Sequence, residues 1–108
     1  MTKEQFNEIT DWQDETFPES TELSRVKHLI KEVCELEFEA KIFEKSPTAH
    51  NRSNKNQEYA DCFFLLFGAA KKAGMSYEDI CRAIDFKFEI NKNRTWGKPD
   101  ENGVVEHV

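Results

Sequence analysis

Residues 58–70 read EYADCFFLLFGAA, two carboxylates three residues apart followed by nine residues without a charge. With about 100° between successive side chains, an uncharged run of this length is apolar on every side of a helix, and such a helix is normally buried. The reading predicts a helix that opens at Ser53 or Asn54, runs to residue 73 and stops at Gly74, a glycine placed to cap it. Glu58 and Asp61 fall on one face of its first turns, at the edge of the expected core, where an uncompensated ionised carboxylate is costly.

Working upstream, the spacing predicts a helix over 21–44, beginning after Ser20 and free of internal Gly or Pro. Val26, Leu29, Ile30, Val33, Leu36, Ala40 and Phe43 form a stripe expected to face the core. Beside it run His28, Glu32, Glu35 and Glu39, whose like charges repel by roughly 0.2–0.5 kcal/mol per pair. A third stripe, Cys34, Phe38 and Ile42, is apolar on the side away from the core and suggests a partner surface. Residues 45–54, KSPTAHNRSN, read as a loop. Antiparallel packing of the two helices through that loop brings Glu32, Glu35, Glu58 and Asp61 together. One E-x-x-E on a helix is usually a solvated face. Two such pairs facing each other, one of them leading an uncharged helix, need a counter-charge, and an all-oxygen set suits Mg²⁺, with Mn²⁺ as the alternative.

Outward from this pair, Thr2 with Gln5 predicts a first helix over 3–14, broken by Phe17-Pro18. Ser76 with Asp79 opens a fourth helix that runs to about residue 93. Lys87, Asn91 and Arg94 lie at i, i+4 and i+7 on one of its faces, opposite in kind to Ile80, Ile84 and Phe88. They are placed either to bind an anion or to complement the helix dipole. The remainder, TWGKPDENGVVEHV, is expected to be an irregular tail with turns at Pro99-Asp100 and Asn102-Gly103. The fold class is therefore all-α, four helices and a tail in a single domain over 1–108.

Composition agrees and narrows the function. Nine Phe and an apolar content of 38% exclude a disordered chain. Four Gly and three Pro are too few punctuation marks for an all-β domain. A net charge of -6 has the wrong sign for coating nucleic acid, and an anionic ligand needs a bridging cation. Three scattered cysteines, Cys34, Cys62 and Cys81, make no C-x-x-C pair and read as packing residues in a reduced cytoplasm. No segment is apolar enough to span a membrane or serve as a signal, so a soluble cytoplasmic protein is expected.

The run His28-Leu-Ile-Lys-Glu32-Val-Cys-Glu35, with 22 residues between Glu35 and the Glu58-Tyr-Ala-Asp61 pair, resembles the E-E-x-x-E and E-x-x-D motifs of MazG-like all-α nucleoside triphosphate pyrophosphohydrolases. Trp12, Phe17-Pro18, Asn91-x-x-Arg94-x-Trp96, Pro99-Asp100 and Gly103 are similar to the dATP/dGTP pyrophosphohydrolase group within it. The departure is Lys31, which stands where the family's first Glu often lies. The resemblance implies Mg²⁺-dependent cleavage of a (deoxy)nucleoside triphosphate to monophosphate and pyrophosphate, on dATP/dGTP or on non-canonical nucleotides as house-cleaning. Glu32, Glu35, Glu58 and Asp61 would be the metal ligands. Glu35 or Glu39 would activate water, Glu35 being preferred. Lys87, Asn91 and Arg94 would reach phosphates and sugar, with Trp96 as the base-stacking candidate. His28 would hydrogen-bond a ligand carboxylate. Trp12 reads instead as a core or interface anchor. A homodimer or homotetramer is expected, with neither nucleic acid nor membrane as partner. The rivals are a di-iron bundle, which lacks its Glu-x-x-His pairs here, and a helical nucleotide-binding or interaction domain without turnover.

Overall fold

The computed structural model describes all 108 residues and holds four helices: α1 (Lys3–Thr16), α2 (Glu22–Lys45), α3 (Ala49–Lys72) and α4 (Tyr77–Lys92). The chain groups into two compact units, Met1–Tyr77 and Glu78–Val108.

In the first unit each helix begins where a hydroxyl covers the free amides of its first turn. Thr2 Oγ1 accepts from the Gln5 amide at 3.1 Å. Thr21 and Ser24 cap each other reciprocally, Ser24 N to Thr21 Oγ1 at 3.1 Å and Thr21 N to Ser24 Oγ at 2.8 Å. Thr48 Oγ1 accepts from Asn51 N at 3.1 Å. This last cap corrects the expected loop over 45–54, because α3 already starts at Ala49 and only three residues, Ser46, Pro47 and Thr48, join it to α2. Asn51 helps by donating its amide nitrogen to Ser46 O at 2.8 Å. α3 ends as predicted at Gly74, whose φ of +92° suits glycine, with Met75 N reaching back to Ala70 O and Gly74 N to Lys71 O, each at 3.0 Å.

So short a connection makes α2 and α3 an antiparallel hairpin, and their contacts keep one register along it. Arg25 meets Gly68 near one end, and Phe43 meets Lys55, whose Nζ lies 4.0 Å from the ring centroid, near the other. α1 lies on α3, with Phe6 edge-on to Phe67 at 5.7 Å and Gln13 Nε2 donating to Phe64 O at 2.8 Å. Arg25, 4% exposed, ties the elements together by donating to Gly68 O and Ser20 Oγ and pairing with Asp14 at 3.0 Å.

The apolar stripes are where expectation and structure part. Only Phe6 and Ala69 are fully buried apolar residues. Of the stripe assigned to the core, Leu29, Leu36, Ala40 and Phe43 are half-buried, whereas Val26, Ile30 and Val33 are exposed. Phe63, Phe64 and Leu66 are exposed as well, so α3 is not buried on all sides. α1 and α2 both pack on α3, and the apolar surface that these helices carry exceeds what the two contacts cover.

The second unit continues α4 and closes the tail on itself. Trp96 and His107 form an isolated antiparallel bridge, flanked by Gly97 N to Glu106 O and Val108 N to Thr95 O, each 2.8 Å. Asp100 caps the intervening turn by accepting from the amides of Asn102 and Val104, and Gly103 turns the chain at φ +78°.

Candidate active site

α2 carries His28, Glu32, Glu35 and Glu39 on successive turns of one flank, and the hairpin register sets Glu58 and Asp61 of α3 against them. One carboxylate oxygen from each of Glu32, Glu58 and Asp61 lies within 4.8 Å of the other two. Glu35 adjoins this trio, its carboxyl close enough to feel both Glu32 and Glu58. Glu39 lies beside Cys34, Glu35, Phe38 and Glu58 along a groove of about 410 Å³. His28 Nε2 stands 3.2 Å from Glu32 Oε1.

The electrostatics are those of crowded like charges. Glu58 is pushed up to about 7, first by burial, then by its hydrogen bond with Glu32 and the charges of Glu35, Glu32 and Asp61. The Glu35 carboxyl is also raised, chiefly by its hydrogen bond and charge repulsion with Glu32. Burial and the same carboxylates raise the Cys62 thiol, which keeps it protonated and unsuited to nucleophilic attack. Glu32 Oε2 and Glu58 Oε2 are buried without any hydrogen-bond partner. Two orphaned carboxylate oxygens inside an all-oxygen cluster fit a hard divalent cation, which would satisfy both and relieve the repulsion.

Glu32 and Asp61 also line a cavity of about 580 Å³. Its walls hold Trp12 and Phe17, with ring centroids 5.7 Å apart and planes at 89°, together with Phe64 and Leu65. Ser24, Arg25 and His28 complete the side formed by α2. Sequence reasoning did not find this cavity. Trp12, expected as a core or interface anchor, is 58% exposed and opens onto it. The available signal was the Trp12 and Phe17 pair, five residues apart where the first helix breaks, but nothing in its spacing says that the two rings meet.

In the second unit, Asn91 and Arg94 are half-buried, while Lys87 and Trp96 are exposed. Arg94 Nη1 lies 3.4 Å from Asn91 Oδ1 and 3.5 Å from His107 Nδ1. The Trp96 indole donates to Asn91 O at 2.9 Å, and its ring meets His107 edge-on. Asn91, Arg94 and Trp96 thus form one cluster, which Lys87 is not seen to join.

Residues 5–108 match the dATP/dGTP pyrophosphohydrolase family. Over 100 residues, 93% of this chain, the sequence is 32% identical to a dATP/dGTP diphosphohydrolase of Salmonella phage PMBT28, and it spans 29% of that protein's length. Over 51 residues, 47% of this chain, it is 43% identical to the Eaa protein of Salmonella phage P22, of which it spans 16%. The chain thus covers less than a third of either relative. Among solved structures, the MazG-like pyrophosphohydrolase of cyanophage S-2L, bound to dGDP and three catalytic Mn²⁺ ions per active site, superposes with a TM-score of 0.72. The two are 24% identical, and the match covers 100% of this chain and 98% of that one, which establishes the all-α MazG-like fold.

Proposed function

Because the chain belongs to the dATP/dGTP pyrophosphohydrolase family, we propose that it hydrolyses deoxynucleoside triphosphates between the α- and β-phosphates, releasing monophosphate and pyrophosphate. The observation that carries this reading is the convergence of Glu32, Glu58 and Asp61, two of them with a buried oxygen that lacks a partner. Glu32, Glu35, Glu58 and Asp61 would hold a divalent cation, Mg²⁺ with Mn²⁺ as substitute. A cation bound there supplies charge neutralisation at the phosphates and at the developing oxyanion.

The chain's own groups do the rest. Glu35, beside the trio and with a raised affinity for a proton, takes the proton from the attacking water, and Glu39 on the same flank is the alternative. His28 orients Glu32 through its Nε2 contact. Lys87, Asn91 and Arg94 bind phosphate and sugar, and Trp96, whose indole donates to Asn91 O, belongs to the substrate-binding set as the stacking ring. This assignment rests on charge, on the motif and on the clustering of Asn91, Arg94 and Trp96. Residues 1–108 act as one such domain, and house-cleaning of non-canonical triphosphates falls within its chemistry. Two copies or four would cover Ile30, Phe38, Phe63 and Leu66, each more than half exposed in one chain.

The test is metal removal with a substrate screen. Protein stripped by a chelator should be inactive, regain activity with Mg²⁺ or Mn²⁺, and favour dATP and dGTP. Turnover that survives chelation would overturn the reading.

A further inference from the structure

We propose that Lys55, with Arg52 beside it, seats the pyrophosphate leaving group, binding the terminal phosphates of a substrate whose α-phosphate lies at the carboxylate cluster. The inference rests on the nucleotide reading above and adds two residues of α3 to its substrate-binding set.

The first observation is that both cations stand over one ring. Lys55 Nζ lies 4.0 Å and Arg52 Cζ 5.1 Å from the centroid of Phe43, so two like charges share one aromatic face. Their place on α3 adds to the strain. Arg52 closes the first turn and Lys55 lies in the second, at the end of the helix whose dipole favours anions, and no acid stands in that first turn. The ion pairs of this unit engage Arg25, His28, Lys41, Lys71 and Lys72. Arg52 and Lys55 take part in none of them. Glu58 follows Lys55 at i+3, a spacing at which acid and base can pair on a helix. Instead Lys55 rests on Phe43, while Glu58 Oε2 is buried without a partner. An unpaired base and an unpaired acid one turn apart suit the two ends of a metal-bound polyphosphate, the acid taking the cation and the base the anion.

The second observation is the path between them. The groove of about 410 Å³ is lined by Cys34, Glu35, Phe38, Glu39 and Glu58. Its α2 wall starts beside the carboxylates and ends at Glu39, one turn short of Phe43. From Glu35 to Phe43 is eight residues, about 12 Å at 1.5 Å per residue. Lysine spans the remainder, since its four-carbon stem lets Nζ leave the ring and reach back along the groove. A cation resting on an exposed ring is weakly held, and a charge-assisted bond to phosphate is the stronger contact. The chemistry gives such a contact a use. As water adds to the α-phosphorus and yields its proton to Glu35, the bond to the α–β bridging oxygen breaks. Its electron pair departs with the pyrophosphate, so negative charge grows at the end where Lys55 stands.

The experiment titrates inorganic pyrophosphate and dGMP separately into the protein with Mg²⁺ present. Lys55→Met should weaken pyrophosphate about tenfold or more, with dGMP held within about twofold, and Lys55→Arg should restore most of the loss. Lys55→Met should melt no lower than the wild type, because methionine keeps an apolar stem over Phe43 and removes a cation from the positive end of α3. Unchanged pyrophosphate affinity in Lys55→Met overturns the proposal. So does an equal loss for dGMP, or a wild type that does not bind pyrophosphate. If the wild type converts dGTP to dGDP and orthophosphate while Lys55→Met still loses pyrophosphate selectively, the reaction assigned above fails and the phosphate seat stands. If the wild type releases pyrophosphate and Lys55→Met binds it as before, the seat alone fails.

Discussion

Glu58 shows how far a single residue can be followed from sequence to chemistry. Its place inside α3, just ahead of the uncharged run and three residues before Asp61, already requires a counter-charge, and the structure turns that requirement into a carboxyl raised to about 7 with one oxygen unpartnered. Without a cation, folded Glu58 holds a proton between its ordinary 4.5 and about 7, a range in which the unfolded chain has released it. Stability therefore falls as pH rises through that window and stays low above it. Melting of the chelated protein should give a lower Tm at pH 8 than at pH 5, and Glu58→Gln should flatten this slope while abolishing turnover. A Tm that rises with pH in the wild type, or helix loss in Glu58→Gln, would assign the residue a structural role. The cavity residues were illegible for a different reason. Trp12 carries no periodic signal of what it faces, because its neighbours come from α2 and α3, and only tertiary packing decides that Phe17 folds back onto it.

Among the helices, several caps and breaks were legible because they are local: Thr2, Gly74 and Pro18 act on amides and backbone angles within a few residues, whereas α2, expected to begin directly after Ser20, is capped by Thr21. The start of α3 was not, since Thr48 competes as a cap with Ser53 and Asn54, and spacing alone does not rank them. The way the helices join was also hidden, because it depends on buried polar bonds between distant residues. Gln13 donates across to Phe64 O over Gly68, where an added Cβ would sit 2.6 Å from Gln13 Oε1. Gly68→Ala should thus push Gln13 off its carbonyl and cost about 1–3 kcal/mol in urea unfolding, despite the better helix propensity of alanine. The double variant Gly68→Ala, Gln13→Ala should recover part of that loss. Equal or greater stability of Gly68→Ala alone would show that the close approach of α1 and α3 at this point does not matter.

Taken whole, the chain has more apolar surface than one copy covers, and this is where periodicity misled most. A stripe on a helix reports that something covers it, not that the same chain does, so Val26, Ile30 and Val33 looked like core. Phe38, on the stripe read as a partner surface, is 63% exposed. Light scattering should find a dimer or tetramer at micromolar concentration, and Ile30→Asp with Phe38→Asp should shift it towards monomer with loss of thermal stability. A monomeric wild type would leave those faces without a cover. The net charge of -6 means that the same molecule meets any polyphosphate as a like charge. Whether the carboxylate cluster directs water to the α-phosphate is read from phosphorus NMR of the products formed from dGTP with Mg²⁺. Water attack at that position gives dGMP and pyrophosphate in equal amounts with no orthophosphate, and dGDP with orthophosphate would rule it out.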